Sequence, residues 1–156
     1  MRVRQPIGKL PDEIQFTVYG KSVPKQRARV VGHGKGQTHA FTPKQTVEWE
    51  ASIYGQALAH KPPYLHQGPI ALGVVFFKLI PRTWSKKKTQ EALEGKLRPV
   101  GRRDDYDNMI KAVKDALNGL YWRDDGDVVE YIPVDGMNPG KYYSDLPRVV
   151  IRVRFL

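Results

Sequence analysis

The sequence predicts a single α+β domain, a mixed β-sheet packed with helices. Three observations carry this: a period-2 segment near the start and another at the end, an uncharged apolar run between them, and two helical patterns interleaved with these strands. With 156 residues, of which 40% are hydrophobic and 27% charged, the chain holds one domain's worth of core, residues 1–156, with 1–12 as a flexible start. The absence of cysteine excludes a disulfide scaffold, a thiol nucleophile and a Cys-ligated metal, which leaves His and carboxylates as metal ligands.

Ile14, Phe16 and Val18 alternate with polar neighbours, so a half-buried strand spans about 14–20. The next segment, Pro24 to Arg29 with Lys25, Arg27 and Arg29, followed by Gly32-His33-Gly34-Lys35-Gly36, reads as a basic loop; its glycines match no phosphate-binding fingerprint. Thr42-Pro43-Lys44-Gln45 has the form of a capping box, and Val47, Ala51, Tyr54 and Leu58 at helical spacing predict a helix over 43–59 with that stripe inward. Trp49, off the stripe, is expected to pack. The run over 69–79 is apolar on both faces, which marks a central strand covered on each side.

Ser85 is placed to cap a short helix over 86–94 closed by Gly95. Its first turn is Lys86-Lys87-Lys88, three cations at the positive end of a helix dipole, an arrangement that a bound phosphate would relieve. In the segment that follows, Ile110, Val113 and Leu117 form a buried helical stripe and Asn118-Gly119 a stop, giving a helix over about 107–118. Strands near 127–134 and 147–155 complete the sheet, the latter with Val149, Ile151, Val153 and Phe155 on one side and Arg152 and Arg154 on the other. The segment around Gly136 to Tyr143 reads as a flexible loop.

The uncharged stretch from Pro69 to Phe77 ends at Lys78, far short of the roughly 20 residues of a membrane span, and the basic start lacks a signal peptide's apolar run. The expected compartment is cytoplasmic, with no membrane partner. A net charge of +10 favours a polyanionic partner. Yet eight of the sixteen carboxylates lie between Asp104 and Glu130, in company with three basic residues. A protein that only held phosphates would lose affinity by that placement, whereas one that cuts phosphodiesters needs carboxylates for a divalent cation; a solvated acidic turn is the plain alternative.

Spacing sharpens the choice. Asp107, Lys111, Lys114, Asp115 and Asn118 fall on the helix face opposite the buried stripe. Asp107 is expected at or next to the N-cap, and Asp105, two residues earlier in an extended approach, on the same side. Two such carboxylates suit Mg²⁺, and Asp124-Asp125 after the helix supplies a third, unless it is simply a polar turn. No calcium-loop glycine and terminal Glu follow Asp105 and Asp107, so an EF-hand is excluded.

This order, with Asp105-Tyr106-Asp107-Asn108, Lys111, Asp115-Ala116-Leu117-Asn118-Gly119 and Trp122-Arg123-Asp124-Asp125, resembles the RusA family of Holliday junction resolvases, Mg²⁺-dependent endodeoxyribonucleases, most closely over Arg103 to Val128. Pro24 to Arg29 and Phe41-Thr42-Pro43 resemble the family more weakly. The resemblance implies a catalytic set of Asp105, Asp107, Lys111 and Asp125, with the three aspartates holding one or two Mg²⁺ for which Mn²⁺ substitutes. It also implies branched DNA as substrate and a symmetric homodimer, since paired cuts need two active sites. Asp104 stands where the family has Pro, and Gly126-Asp127 where it has Ser-Gln. Lys25, Arg27, Arg29, Lys86, Lys87 and Lys88 are the expected phosphate contacts. Two rival readings are a metal-dependent nuclease acting on flaps or forks and a non-catalytic nucleic-acid-binding module.

Overall fold

In the computed structural model, residues 11–25, 29–33, 37–41 and 43–156 are described, with the backbone path alone for 29–33 and 37–41. The centre of the molecule is β4 (Ile70–Leu79), whose apolar residues alternate between two covered faces. Ile70, Leu72, Val74 and Phe76 enter the main core, while Val75 and Phe77 join a second cluster with Val134, Met137, Tyr142 and Val150. Gly73 sits where no side chain fits: a Cβ there would lie 2.6 Å from the Ile132 carbonyl oxygen and 2.7 Å from Val134 Cγ2.

β7 (Arg148–Phe155) runs antiparallel to β4 on one edge and to β1 (Glu13–Tyr19) on its own far side. Val149, Ile151 and Val153 are fully buried, as their alternation requires, and Arg152 pairs with Glu13 across the β1–β7 ladder. On the other edge of β4, β5 (Val128–Tyr131) and β6 (Gly140–Ser144) run parallel to it, one after the other along its length. The sheet is therefore mixed, in the order β1-β7-β4-β5 with β6 beside β4. The strand expected over 127–134 is shorter and stands at the edge away from β1. Asp127 belongs to a 3₁₀ turn before it, and Pro133, which has no N–H, and the left-handed Asp135 end the extended path.

Three expectations are corrected. The segment around Gly136 to Tyr143 is a tight turn bridged between Val134 and Met137, followed by β6; ladder pairing with β4 and the stacking of Arg98 on Tyr142 outweigh its turn-rich composition. The basic loop contains two antiparallel strands, β2 (Arg29–His33) and β3 (Gln37–Phe41), because Val30-Val31 and Thr38 to Phe41 favour extended backbone on either side of the glycine-rich stretch. The helix α1 (Lys44–Ala59) begins after Pro43 with no side-chain cap among the described residues, and Thr42 of the expected capping box lies outside them.

The α1 stripe is also the opposite one. Thr46, Trp49, Ile53 and Ala57 are buried against β1 and the later helix, while Val47, Tyr54 and Leu58 are about half exposed. Two apolar faces compete on this helix, and the larger indole of Trp49 takes the inward one. Helix α2 (Lys86–Leu93) follows expectation: the Ser85 hydroxyl accepts the Lys88 N–H, and Gly95 adopts a positive φ after its end. Helix α3 (Tyr106–Leu117) buries Ile110, Val113 and Leu117, joined by Met109, Ala112 and Ala116. No helix among the described residues is long and apolar enough to cross a membrane.

Candidate active site

The N-terminus of α3 is fixed from three directions. The Asp105 side chain accepts the Asn108 N–H at 3.3 Å and is the N-cap, so Asp107 stands in the first helical turn. This corrects the expected extended pairing of Asp105 with Asp107, because the N–H groups of the first turn draw the chain into helix one residue earlier. Tyr106, between them, sends its hydroxyl to the Val74 carbonyl at 2.8 Å and sets its ring edge-on to Phe76, tying the motif to β4. Burial pushes the Tyr106 hydroxyl well above the ordinary tyrosine range, so it keeps the proton it donates.

Asp104 takes the third direction. Its carboxylate pairs with Lys78 at the end of β4, and its carbonyl accepts Lys141 Nζ of β6 at 2.6 Å. Asp104 is thus a clamp that secures the approach to α3.

Beyond α3, Gly119 turns the chain with a positive φ, and Trp122 folds back: its indole N–H donates to Asn118 Oδ1 at 2.6 Å and its carbonyl accepts the Gly119 N–H at 2.7 Å. Trp122 and Tyr121 are fully buried. This lock delivers the turn that carries Asp125. Asp124 caps the turn by accepting the Gly126 N–H, while Asp125 Oδ2 lies 2.7 Å from Lys111 Nζ. Lys111 also lies 3.0 Å from Asp115 Oδ1, one helical turn along. Hydrogen bonds to Asp125 and Asp115 hold the Lys111 ammonium far above its ordinary range. Burial works to raise the Asp125 carboxyl, but Lys111, with help from Asn118, overcomes it and leaves Asp125 below the usual carboxylate range.

The structure thus brings Lys111 and Asp125 together. Asp105 and Asp107 are exposed at the head of the same helix, and among the described residues no group of three or more His, Asp or Glu side chains stands close enough to hold a metal ion. Three carboxylates without a compensating cation repel; here Asp125 takes an ammonium and Asp105 a helix N–H instead. One observation still marks the site as suited to a cation. Asp125 Oδ1 is buried with no hydrogen-bond partner, and the donor set is entirely hard carboxylate oxygen.

Lys25 is not free for DNA as it stands. Its Nζ lies 2.7 Å from Glu50 Oε1 on α1 and 3.2 Å from Asp115 Oδ2 on α3, and its backbone N–H donates to the Asn108 carbonyl. Burial would lower its pKa, yet the two carboxylates raise it. Arg27 lies outside the described residues and Arg29 falls on β2, while Lys86, Lys87 and Lys88 are exposed, Lys88 over the Trp84 ring at 4.1 Å. Glu50 carries no motif and is not singled out by the sequence, whereas Asp115 is legible there through its position on the polar face of α3.

A family model described as Endodeoxyribonuclease RusA matches residues 20–154. A protein of Bacillus subtilis (strain 168), "Uncharacterized protein YqaN", is 35% identical over 145 residues, covering 92% of this chain and 96% of that protein.

Proposed function

The chain belongs to the RusA endodeoxyribonuclease family, and on that premise we propose that it is a divalent-metal-dependent resolvase that separates four-way DNA junctions by paired phosphodiester cuts. The observation that carries the reading to particular side chains is the meeting of Lys111 with Asp125 beside a carboxylate oxygen that has no partner.

Hydrolysis of a phosphodiester needs an attacking water, relief of charge on the non-bridging oxygens and help for the departing 3′ oxygen. Asp105, Asp107 and Asp125 are the residues that would hold one or two Mg²⁺, or Mn²⁺ in their place; bound there, the ion lowers the pKa of water and offsets phosphate charge. Lys111 keeps its proton throughout the working pH range, so it serves as a fixed positive charge for the phosphate and not as a base. Asp115 and Asp125 hold that ammonium in place before substrate arrives. Lys86 and Lys87 at the start of α2, together with Arg27 and Arg29, contact backbone phosphates, and selectivity comes from the junction's shape. Because the chain carries one such site, paired cuts call for a two-fold homodimer.

Incubation with a synthetic mobile junction, a nicked junction, a flap and a duplex, each with and without Mg²⁺, tests the reading. Paired symmetric cuts in the intact junction, dependent on the metal, are expected. Preference for the flap would replace the substrate, and binding without cleavage under any metal would remove the enzyme.

A further inference from the structure

Two cavities meet beside the head of α3. One, of about 260 Å³, is walled by Phe76, Phe77, Leu79, Pro99, Met109 and Pro147. The other, of about 930 Å³, is lined by Lys21, Lys25, Lys78, Arg102 and Arg103, and reaches Asn108 in the first turn of the helix. Lys21, Ser22, Lys78 and Asp104 border both, so the two form one cleft with an apolar end and a cationic end. On the wall they share, Ser22 Oγ is buried with no hydrogen-bond partner. Asp104, the residue that clamps the approach to Asp105, is also part of this wall.

We propose that this cleft captures a single unpaired nucleotide of a DNA strand, with the base among the apolar side chains and its flanking phosphates on Lys21, Arg102 and Arg103. A nucleobase is a flat, largely apolar ring system that never leaves its phosphates, and the cleft places an apolar chamber and a cationic trough in that same adjacency. A stretch of stacked duplex does not fit a chamber of about 260 Å³, so the nucleotide must leave its stack to enter, which costs least in a single strand or at a branch point. An apolar peptide or a lipid tail would fill the chamber but leave the trough's charge unanswered. The capture rests on the reading of the chain as a DNA-acting protein, and does not depend on the assignment of its catalytic aspartates.

The test uses the full chain without metal and short single strands. Pentathymidylate with a central 2-aminopurine should bind with a rise in its emission as the base leaves its neighbours. A pentamer of equal charge with abasic sites throughout should bind at least tenfold more weakly, because base contacts supply about that much per nucleotide. Leu79→Trp, at the solvent-facing rim of the chamber, should lower the affinity for the base-bearing pentamer by a similar factor and leave the abasic one unchanged. Equal binding of the two pentamers by the unmodified protein, or unchanged emission, overturns the proposal, and neither measurement depends on how the variant folds. Junction cleavage measured separately keeps the readings apart: base capture without cleavage defeats the resolvase alone, and cleavage without base capture defeats only this inference.

Discussion

Lys25, in the connection after β1, and Lys111, on α3, grip opposite oxygens of one carboxylate: Asp115 Oδ2 lies 3.2 Å from Lys25 Nζ, and its Oδ1 lies 3.0 Å from Lys111 Nζ. With Glu50 beyond Lys25 and Asp125 beyond Lys111, charges alternate along a chain from α1 through α3 to the turn after it. Removing Lys25 leaves Asp115 with one cation to attract, which draws Lys111 toward it and away from Asp125.

Lys25→Met should therefore reduce cleavage by about tenfold at saturating junction while the dependence of binding on salt keeps its slope. A phosphate contact predicts the reverse, a salt slope smaller by about one with little change at saturation. Binding isotherms at several salt concentrations, paired with single-turnover rates, distinguish the two.

Lys111→Met should lower the cleavage rate by a hundredfold or more, yet change unfolding free energy by no more than about 1 kcal/mol, because the side chain is half exposed and its ion pairs are solvated. Comparable losses of rate and stability would mean that Lys111 is only a structural partner.

Asp125 Oδ1 has no hydrogen-bond partner, and a buried unsatisfied acceptor costs about 1–3 kcal/mol. Mg²⁺ should raise the melting temperature of the unmodified protein and should do so much less for Asp125→Asn. Asp107→Asn should abolish nicking while junction binding persists; continued nicking by either variant would exclude that aspartate from the metal set.

The Asp125 carboxyl is held below the ordinary range near pH 4, so its share of stability is present above that value and disappears as pH falls through the depressed one. Lys111 is raised, so its share is complete below about pH 10 and disappears only in stronger base. Melting temperatures from pH 6 down to 2.5 should consequently fall more steeply for the unmodified protein than for Asp125→Asn. Parallel curves would show that the pair adds nothing to the native state.

Gly73→Ala tests the fold. Its new methyl would strike the Ile132 carbonyl oxygen and Val134 from the middle of β4, where backbone cannot yield, so destabilisation of about 1–3 kcal/mol is expected in chemical denaturation. Asp104→Ala, by contrast, should leave the sheet intact and loosen the approach to α3, seen as faster amide exchange at Asp105 to Asn108.

Periodicity made much of this molecule legible. The alternation in β7, the two-faced apolar run of β4 and the 3.6-residue stripe of α3 are local patterns, and each states which residues share a face without reference to the rest of the chain. The same logic set Asp107, Lys111 and Asp115 on one surface, and Asn118-Gly119 as a stop. It failed on α1, where Val47-Tyr54-Leu58 and Trp49-Ile53-Ala57 are both plausible stripes and only the neighbouring β1 and α3 select one. It failed again at β6, whose Tyr142 and Tyr143 pair with a strand more than sixty residues earlier.

From the amino acids alone came the domain class, the acidic island in a basic chain and the polar face of α3. Tertiary structure decided that Asp105 caps the helix, that Asp104 is clamped between β4 and β6, that Lys25 reaches Asp115, and that the Trp122 turn carries Asp125 to Lys111. The reason is physical. A helical or extended repeat fixes the direction of side chains within one element, whereas a charge finds its partner only after separate elements have packed, and that packing is set by the summed apolar contacts of the whole core.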